Sequence, residues 1–329
     1  MLVLGIETTC DETAVALVRD GKEIISNVVY SQMDIHEKFG GVFPEMACRR
    51  HQEVLIPTLK EALGENHADL IAVAKGPGLI GALLIGLNAA KALSLAWNKP
   101  FVGVNHVEAH LYAAMMGREV EFPALGVVIS GGHTFIVKIL ELGKYELIGA
   151  TQDDAIGEAF DKVASMLGLP YPGGPAIEAL ALQGNSSKYF FKRGVIKERP
   201  WDFSFSGLKT NVLYTVRGVK NAPLKIPSED IPHIAAAFQE TALNDIVDKA
   251  IKASHAFGCK NIYLGGGVSN NKRLRALFQQ KAPHLSTFWP PLGLSLDNAA
   301  MIAGLGFHTY LLQGADPLDL EPLTRIPLA

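Results

Sequence analysis

Apolar runs and short polar breaks alternate from the first residues of the chain. Residues 2–9 form a continuous β-rich run, Cys10-Asp11-Glu12-Thr13 breaks it, residues 14–18 resume it, Gly21-Lys22 breaks it again, and residues 23–30 supply a third run. Runs of this length between turn residues predict an antiparallel meander. The period then changes. Residues 44–63 carry helical spacing closed by Gly64, residues 69–74 form a short strand before Gly76-Pro77-Gly78, residues 79–97 make a long apolar helix, and a strand at 101–104 leads into a helix carrying His106 and His110. The second half repeats the opening: a strand at 124–129, a turn at Ser130-Gly131-Gly132-His133-Thr134, strands at 135–140 and 145–150, then helices over 157–167, 175–183 and 234–257. A strand at 261–264, a glycine loop at 265–271 and a helix at 272–281 follow, and a last helix begins near Ser295-Leu296-Asp297-Asn298 with Asp297 in the N-cap position.

Each half therefore opens with strand, polar turn, strand, strand, then helices. Such a duplication predicts an α/β protein of the actin-like ATPase (ASKHA) class, two similar domains around a nucleotide cleft. The expected boundaries are 1–121 for the first domain, with a C-terminal helix from about 300–329 packing back on it, and 122–299 for the second. A doubly wound dinucleotide fold is the alternative, but the G-x-G-x-x-G between its first strand and first helix is missing.

Composition narrows the setting. The chain has 329 residues, 48% hydrophobic and 19% charged, enough for two packed cores. A net charge of −3 means that a nucleic-acid partner has to meet a local basic patch or a second protein. Arg49-Arg50, Lys192-Arg193, and Lys272-Arg273 with Arg275 are candidate patches, although each taken singly reads as a solvated surface charge pair. Cys10, Cys48 and Cys259 form no framework, which fits a reducing, cytoplasmic setting. The N-terminal residues read as a buried strand rather than a signal peptide. Residues 79–97 approach the length of a membrane span, but Asn88 and Lys91 argue against one, and no membrane association is expected. The small residues Ala82, Gly86, Ala89 and Ala90 in that helix suit close packing, either internally or at a subunit interface.

Several motifs carry chemistry. His106 and His110 lie one helical turn apart on one face and can seat one metal ion. Asp297 is the best candidate for a third ligand, and two imidazoles with one carboxylate admit Fe(II) or Zn(II). A zincin protease needs Glu directly after the first His. Here Val107 stands there, and Glu108 sits about 200° around the helix. The glycines of the Ser130 turn let backbone N–H groups approach an anion, or simply permit a tight hairpin. Gly265-Gly266-Gly267-Val268-Ser269-Asn270-Asn271 allows flat approach to a nucleobase or ribose. Glu178, after Tyr171-Pro172-Gly173-Gly174-Pro175, suits a ribose hydroxyl or the helix dipole. Asp161 is read from its own setting only as a helix acid. Glu7-Thr8-Thr9-Cys10-Asp11-Glu12-Thr13 offers hydroxyls and carboxylates to a phosphate, a cation or a proton.

In order, Glu7-Thr8-Thr9-Cys10-Asp11-Glu12-Thr13, Asn105-His106-Val107-Glu108-Ala109-His110, Val128-Ile129-Ser130-Gly131-Gly132-His133-Thr134, Gly157-Glu158-Ala159-Phe160-Asp161-Lys162, Tyr171-Pro172-Gly173-Gly174-Pro175 and Asp297-Asn298-Ala299-Ala300-Met301 resemble the bacterial TsaD (YgjD/Gcp) family across nearly the whole chain. The resemblance implies transfer of threonylcarbamoyl from threonylcarbamoyl-AMP to N6 of the adenosine 3′ of the anticodon, in tRNAs reading codons that start with A. It implies His106, His110 and Asp297 as metal ligands, and Val128, Ile129, Ser130, Gly131, Gly132, Asp161, Gly174, Glu178 and Asn271 as contacts to the acyl-adenylate. Asp11 or Glu12 is placed to accept the amine proton. Val128 stands where the archaeal and eukaryotic branch has a Tyr, and Ser295 where bacterial members often have Cys. The implied partners are tRNA, a TsaB-like paralogue docking through helix 79–97, and a TsaE-like ATPase. A small-molecule kinase of the same fold class and a non-enzymatic ATP-binding scaffold are the competing readings. The kinase would use Mg with oxygen ligands rather than imidazoles.

Overall fold

A computed structural model describes residues 1–218 and 226–328. The chain forms two compact units, Met1–Val120 with Trp289–Ala329, and Glu121–Phe288. Asp297 thus belongs to the same unit as His106 and His110.

The first unit begins with β1 (Leu2–Glu7), β2 (Glu12–Arg19) and β3 (Glu23–Ser31), paired antiparallel. The short helix α1 (Met33–His36) and the long α2 (Pro44–Leu63) precede β4 (Leu70–Gly76), α3 (Ile80–Trp97), β5 (Phe101–Asn105) and α4 (His106–Met115). The sheet order is β3-β2-β1-β4-β5, with β1, β4 and β5 parallel. β1 lies in the middle and is covered on both faces, which is why its sequence is apolar without alternation. Its Leu4 and Ile6 join Val15, Leu17, Leu55, Leu59, Leu87 and Ala90 in one core layer under α2 and α3. The small residues of α3 are used inside this unit: a Cβ on Gly86 would lie 2.4 Å from Thr8 Oγ1, which donates to the Ala82 carbonyl at 2.9 Å. Ile80, Leu84 and Leu95 are left exposed on the same helix. By length and composition alone α3 could cross a membrane.

The second unit repeats the plan. β6 (Ala124–Ile129), β7 (Thr134–Glu141) and β8 (Lys144–Ala150) form the meander. α5 (Ile156–Met166), α6 (Gly173–Ala181), α7 (Ser206–Arg217), α8 (Ile231–Ala256), β9 (Asn261–Gly265), α9 (Lys272–Lys281) and β10 (Ser286–Phe288) complete it. The order is β10-β9-β6-β7-β8, with β9 parallel to both β6 and β10. Read from β8, this is the succession of the first sheet from β3, so the duplication is real at the level of topology. Phe160 of α5 meets Phe238 of α8 edge-on at 5.0 Å in the core. α7 falls in a stretch where the apolar pattern predicts no element.

The last helix, α10 (Ala299–Gln313), lies on the open face of the first sheet. Glycines make this possible. A Cβ on Gly5 would lie 2.2 Å from the Ala299 carbonyl oxygen, and one on Gly306 2.3 Å from the Ala72 Cβ. Asp297 is not the N-cap. Asn298 is, with its Oδ1 accepting from the Met301 N–H at 3.0 Å while its Nδ2 donates to the Leu294 and Leu296 carbonyls. Asn298 holds the extended backbone that a cap requires. The Asp297 carboxylate is thereby left for another use. The helix also stops at Gly314 rather than running on toward 329. Beyond it the chain crosses the unit irregularly, held by the Gly103 N–H to Asp316 Oδ2 and the Leu323 N–H to the Lys75 carbonyl, both at 2.8 Å.

Candidate active site

In the first unit, three sequence-selected residues meet. α4 starts at His106 because Asn105 caps it, accepting from the Val107 and Glu108 N–H groups. His106 and His110 then project one turn apart with ring centroids 4.6 Å apart, and both are buried. The start of α10 brings Asp297 to them. Its Oδ1 lies 3.1 Å from His110 Nε2 and 3.7 Å from His106 Nε2. One donor atom from each of the three residues falls within 4.8 Å of the others, so the set can hold a metal ion. Glu108 is not part of it.

A fourth residue, missed by sequence reasoning as a site residue in its own right, stands behind the cluster. Glu7, fully buried at the end of β1, accepts from His106 Nδ1–H at 2.9 Å and from the Thr9 N–H at 2.6 Å. With Nδ1–H given to Glu7, Nε2 is the ring atom that faces Asp297 and a metal, the carboxylate–histidine pairing typical of metal centres. The signal was available: a carboxylate ends a strand whose other side chains are apolar. Burial alone drives the His106 imidazole toward its neutral form, but the Glu7 and Asp297 carboxylates outweigh it and raise its pKa to about 9. His110 Nδ1 is buried without a hydrogen-bond partner.

Asp11 and Glu12 border the same cluster and are half-buried. Burial, with Asp297 and Asp11 next in size, lifts the Glu12 carboxyl far above the usual carboxylate range. The Cys10 thiol is pushed up by burial and by the same negative charges. Such mutual repulsion is relieved by a cation, which agrees with the donor set. Behind this turn His51 is fully buried, with Thr13 Oγ1 at 2.7 Å from its Nδ1 and the Cys10 carbonyl 3.1 Å from its Nε2.

In the second unit, Gly131, Asp161, Gly174, Glu178 and Asn271 line one cavity of about 170 Å³, together with Gly157, Phe160, Pro172, Pro175, Gly267, Val268 and Asn270. Ser130 closes its turn by donating its N–H to the His133 carbonyl and accepting from the His133 N–H on Oγ. Nothing lies within 4 Å of where a Cβ on Gly131 or Gly132 would stand, so this turn is open to a ligand. Close approach is required elsewhere: a Cβ on Gly157 would lie 2.7 Å from the Ser130 carbonyl oxygen. Asp161 accepts from the Gly173 N–H at 2.7 Å and so fixes the start of α6. Glu178 accepts from the Lys272 N–H at 2.7 Å. Asn271 caps α9 through its Oδ1 and donates Nδ2 to Gln239 at 2.9 Å. Val128 and Ile129 are fully buried strand residues and do not line the cavity. A wider hollow of about 560 Å³ shares Pro175 and Glu178 and extends over Gln239, Glu240 and Arg273.

The fold defines an actin-like (ASKHA) α/β protein, and its histidine–carboxylate cluster has the donor set to hold a metal ion. Among solved structures, full-length HypF in a phosphate- and nucleotide-bound form superposes with a TM-score of 0.61 at 14% identity, over 96% of this chain and 47% of HypF. This chain thus spans about half the length of HypF. The activator of 2-hydroxyisocaproyl-CoA dehydratase from Clostridium difficile, with bound ADPNP, gives 0.53 at 12% identity over 95% of this chain and 96% of its own. These likenesses concern the fold. Sequence likeness goes further. Residues 23–304 match the TsaD family, tRNA N6-adenosine threonylcarbamoyltransferase. A protein of that name from Protochlamydia amoebophila is 60% identical, covering 100% of this chain and 98% of its own. Another from Bacillus cereus is 49% identical over 97% of each. The chain belongs to the TsaD family of tRNA N6-adenosine threonylcarbamoyltransferases.

Proposed function

We propose that this chain transfers threonylcarbamoyl from threonylcarbamoyl-AMP to N6 of the adenosine 3′ of the anticodon, in tRNAs reading codons that start with A, and releases AMP. Family membership over the full chain supports the reading. The observation that carries it is the convergence of His106 Nε2, His110 Nε2 and Asp297 Oδ1 in front of Glu7. A kinase of this fold built around Mg would present oxygen ligands there.

His106, His110 and Asp297 hold the divalent ion, Fe(II) or Zn(II). Bound there, it supplies Lewis acidity toward phosphate or carbamoyl oxygens. Glu7 keeps the His106 ring in place. The open amides of Gly131 and Gly132 hold the phosphate and stabilise charge as AMP leaves. Gly174, Glu178 and Asn271 receive the nucleoside, with Glu178 accepting from a ribose hydroxyl, and Asp161 keeps the start of α6 in register. The exocyclic amine of adenosine attacks the carbamoyl carbon, the bond to the AMP phosphate oxygen breaks, and the amine proton passes to Asp11 or Glu12.

The chain acts in the cytoplasm with partners: a TsaB-like paralogue on the exposed apolar side of α3, at Ile80, Leu84 and Leu95, and a TsaE-like ATPase. The test is incubation with threonine, bicarbonate, ATP, the adenylate-forming synthase, both partners and unmodified tRNA, followed by nucleoside mass analysis. The modified adenosine is expected with the wild-type chain and lost, together with bound metal, in His106→Ala. No modified adenosine under any partner combination rejects the function.

A further inference from the structure

The segment Lys188–Arg199 of the second unit is irregular, yet it is pinned along its length. Tyr189 donates its hydroxyl to Asp230 at 2.8 Å, Phe191 is buried, Arg193 pairs with Asp248, and a Cβ on Gly194 would lie 2.4 Å from the Ser204 carbonyl oxygen. Between these anchors several side chains face solvent. Phe190 is 85% exposed and Val195 88%, more than most large apolar side chains of the chain. Lys192 and Lys197 are exposed and, among the described residues, engage no ion pair or hydrogen bond. The segment carries five basic residues and one acid, in a chain whose net charge is −3. A rigid support that holds an aromatic ring and two unpaired ammonium groups toward solvent is arranged for a partner with flat apolar faces and closely spaced negative charges. Single-stranded nucleic acid has both.

We propose that Lys188–Arg199 is an RNA-binding strap. In it Phe190 stacks on an unpaired base of the tRNA substrate, while Lys192 and Lys197 neutralise flanking phosphates. The inference rests on the tRNA reading given above and adds to it where the RNA is gripped. A protein partner fits the charge less well, because Lys192 and Lys197 would need acidic groups at matching positions, whereas RNA supplies a phosphate at every nucleotide.

The test uses the full-length chain and an unmodified tRNA transcript, with binding measured across a salt series and steady-state kinetics measured in the complete reaction. Phe190→Ala is expected to weaken tRNA binding about 5- to 150-fold, the range for losing one stacked base. Lys192→Ala with Lys197→Ala is expected to reduce the slope of log affinity against log salt by about 1.4 to 1.8. In both variants KM for tRNA rises, while kcat, KM for the acyl-adenylate and the melting temperature stay at wild-type values. Unchanged tRNA affinity and salt slope in both variants overturn the proposal. So does the loss of a protein partner with tRNA binding intact. A wild-type chain that neither binds nor modifies tRNA overturns the function proposed above; unaffected variants of a wild-type chain that does both overturn only the strap.

Discussion

Replacing Glu7 by Gln tests whether the carboxylate behind His106 is part of the metal centre. Glu7 has no solvent contact and accepts from two donors, His106 Nδ1–H at 2.9 Å and Thr9 N–H at 2.6 Å. A Gln of the same shape can accept from one and must turn an NH₂ toward the other. The ring loses both its anchor and the charge that makes Nε2 a strong donor, and partners of this kind are worth about 10- to 100-fold in metal affinity. A second effect opposes the first. Before a metal binds, the His106 pKa of about 9 means that a proton competes for the ring at neutral pH. Two pH units of competition cost about 3 kcal/mol at pH 7. Without Glu7 that pKa falls and most of the competition disappears. The sign follows: wild-type affinity for Zn(II) climbs about tenfold per pH unit from 7 toward 9, while the variant's stays nearly flat. The deficit of Glu7→Gln is therefore small at pH 7 and reaches about 10- to 100-fold at pH 9. Chelator-competition titrations at both pH values measure it. An equal deficit at the two pH values, or none at pH 9, refutes the reasoning.

Asn298→Ala removes the cap of α10 and the two bonds to Leu294 and Leu296, and is expected to cost about 1–2 kcal/mol in denaturant unfolding. Gly157→Ala places a methyl 2.7 Å from the Ser130 carbonyl oxygen and 2.8 Å from Gly131 Cα, an overpacking worth about 1–3 kcal/mol. The turn must shift, so calorimetry is expected to show at least about tenfold weaker binding of AMP to a chain that still folds. Burial lowers the His51 pKa below its unfolded value of about 6.5. Its contribution is complete above about pH 6.5 and is lost as pH falls below that value through the lowered folded-state pKa, so below about pH 6.5 thermal unfolding of the wild type should shift down more steeply than that of His51→Gln.

Much of the fold was legible because both sheets announce themselves through runs of different length and period. The bounds of α2, closed by Gly64, follow from its spacing, and the repeated meander follows from the two polar turns. α7 stayed hidden because its burial is thin: Leu208, Val212 and Val216 make a single stripe among polar neighbours. The misplaced cap at Asp297 has a different cause. Asp and Asn are equal candidates by type. Only the position of His110 shows which of them is needed elsewhere. For the same reason Glu7 looked like part of a turn, since its partner is ninety-nine residues away. The cavity of the second unit was legible as glycines and an asparagine, but the anchoring roles of Asp161 and Glu178, each on a backbone N–H, depend on contacts that only folding creates.

The first unit is assembled from both ends of the chain, with the second unit inserted between them. During synthesis the inserted unit can close as soon as β10 has emerged, because all its strands are contiguous in sequence. The first sheet has to wait. Until α10 arrives, the face of β1 at Gly5 stays bare and one of the three donor atoms is missing. A metal held by this cluster would therefore be loaded late in biogenesis, and a ribosome stalled after residue 288 presents a closed second unit while the first sheet is still unfinished.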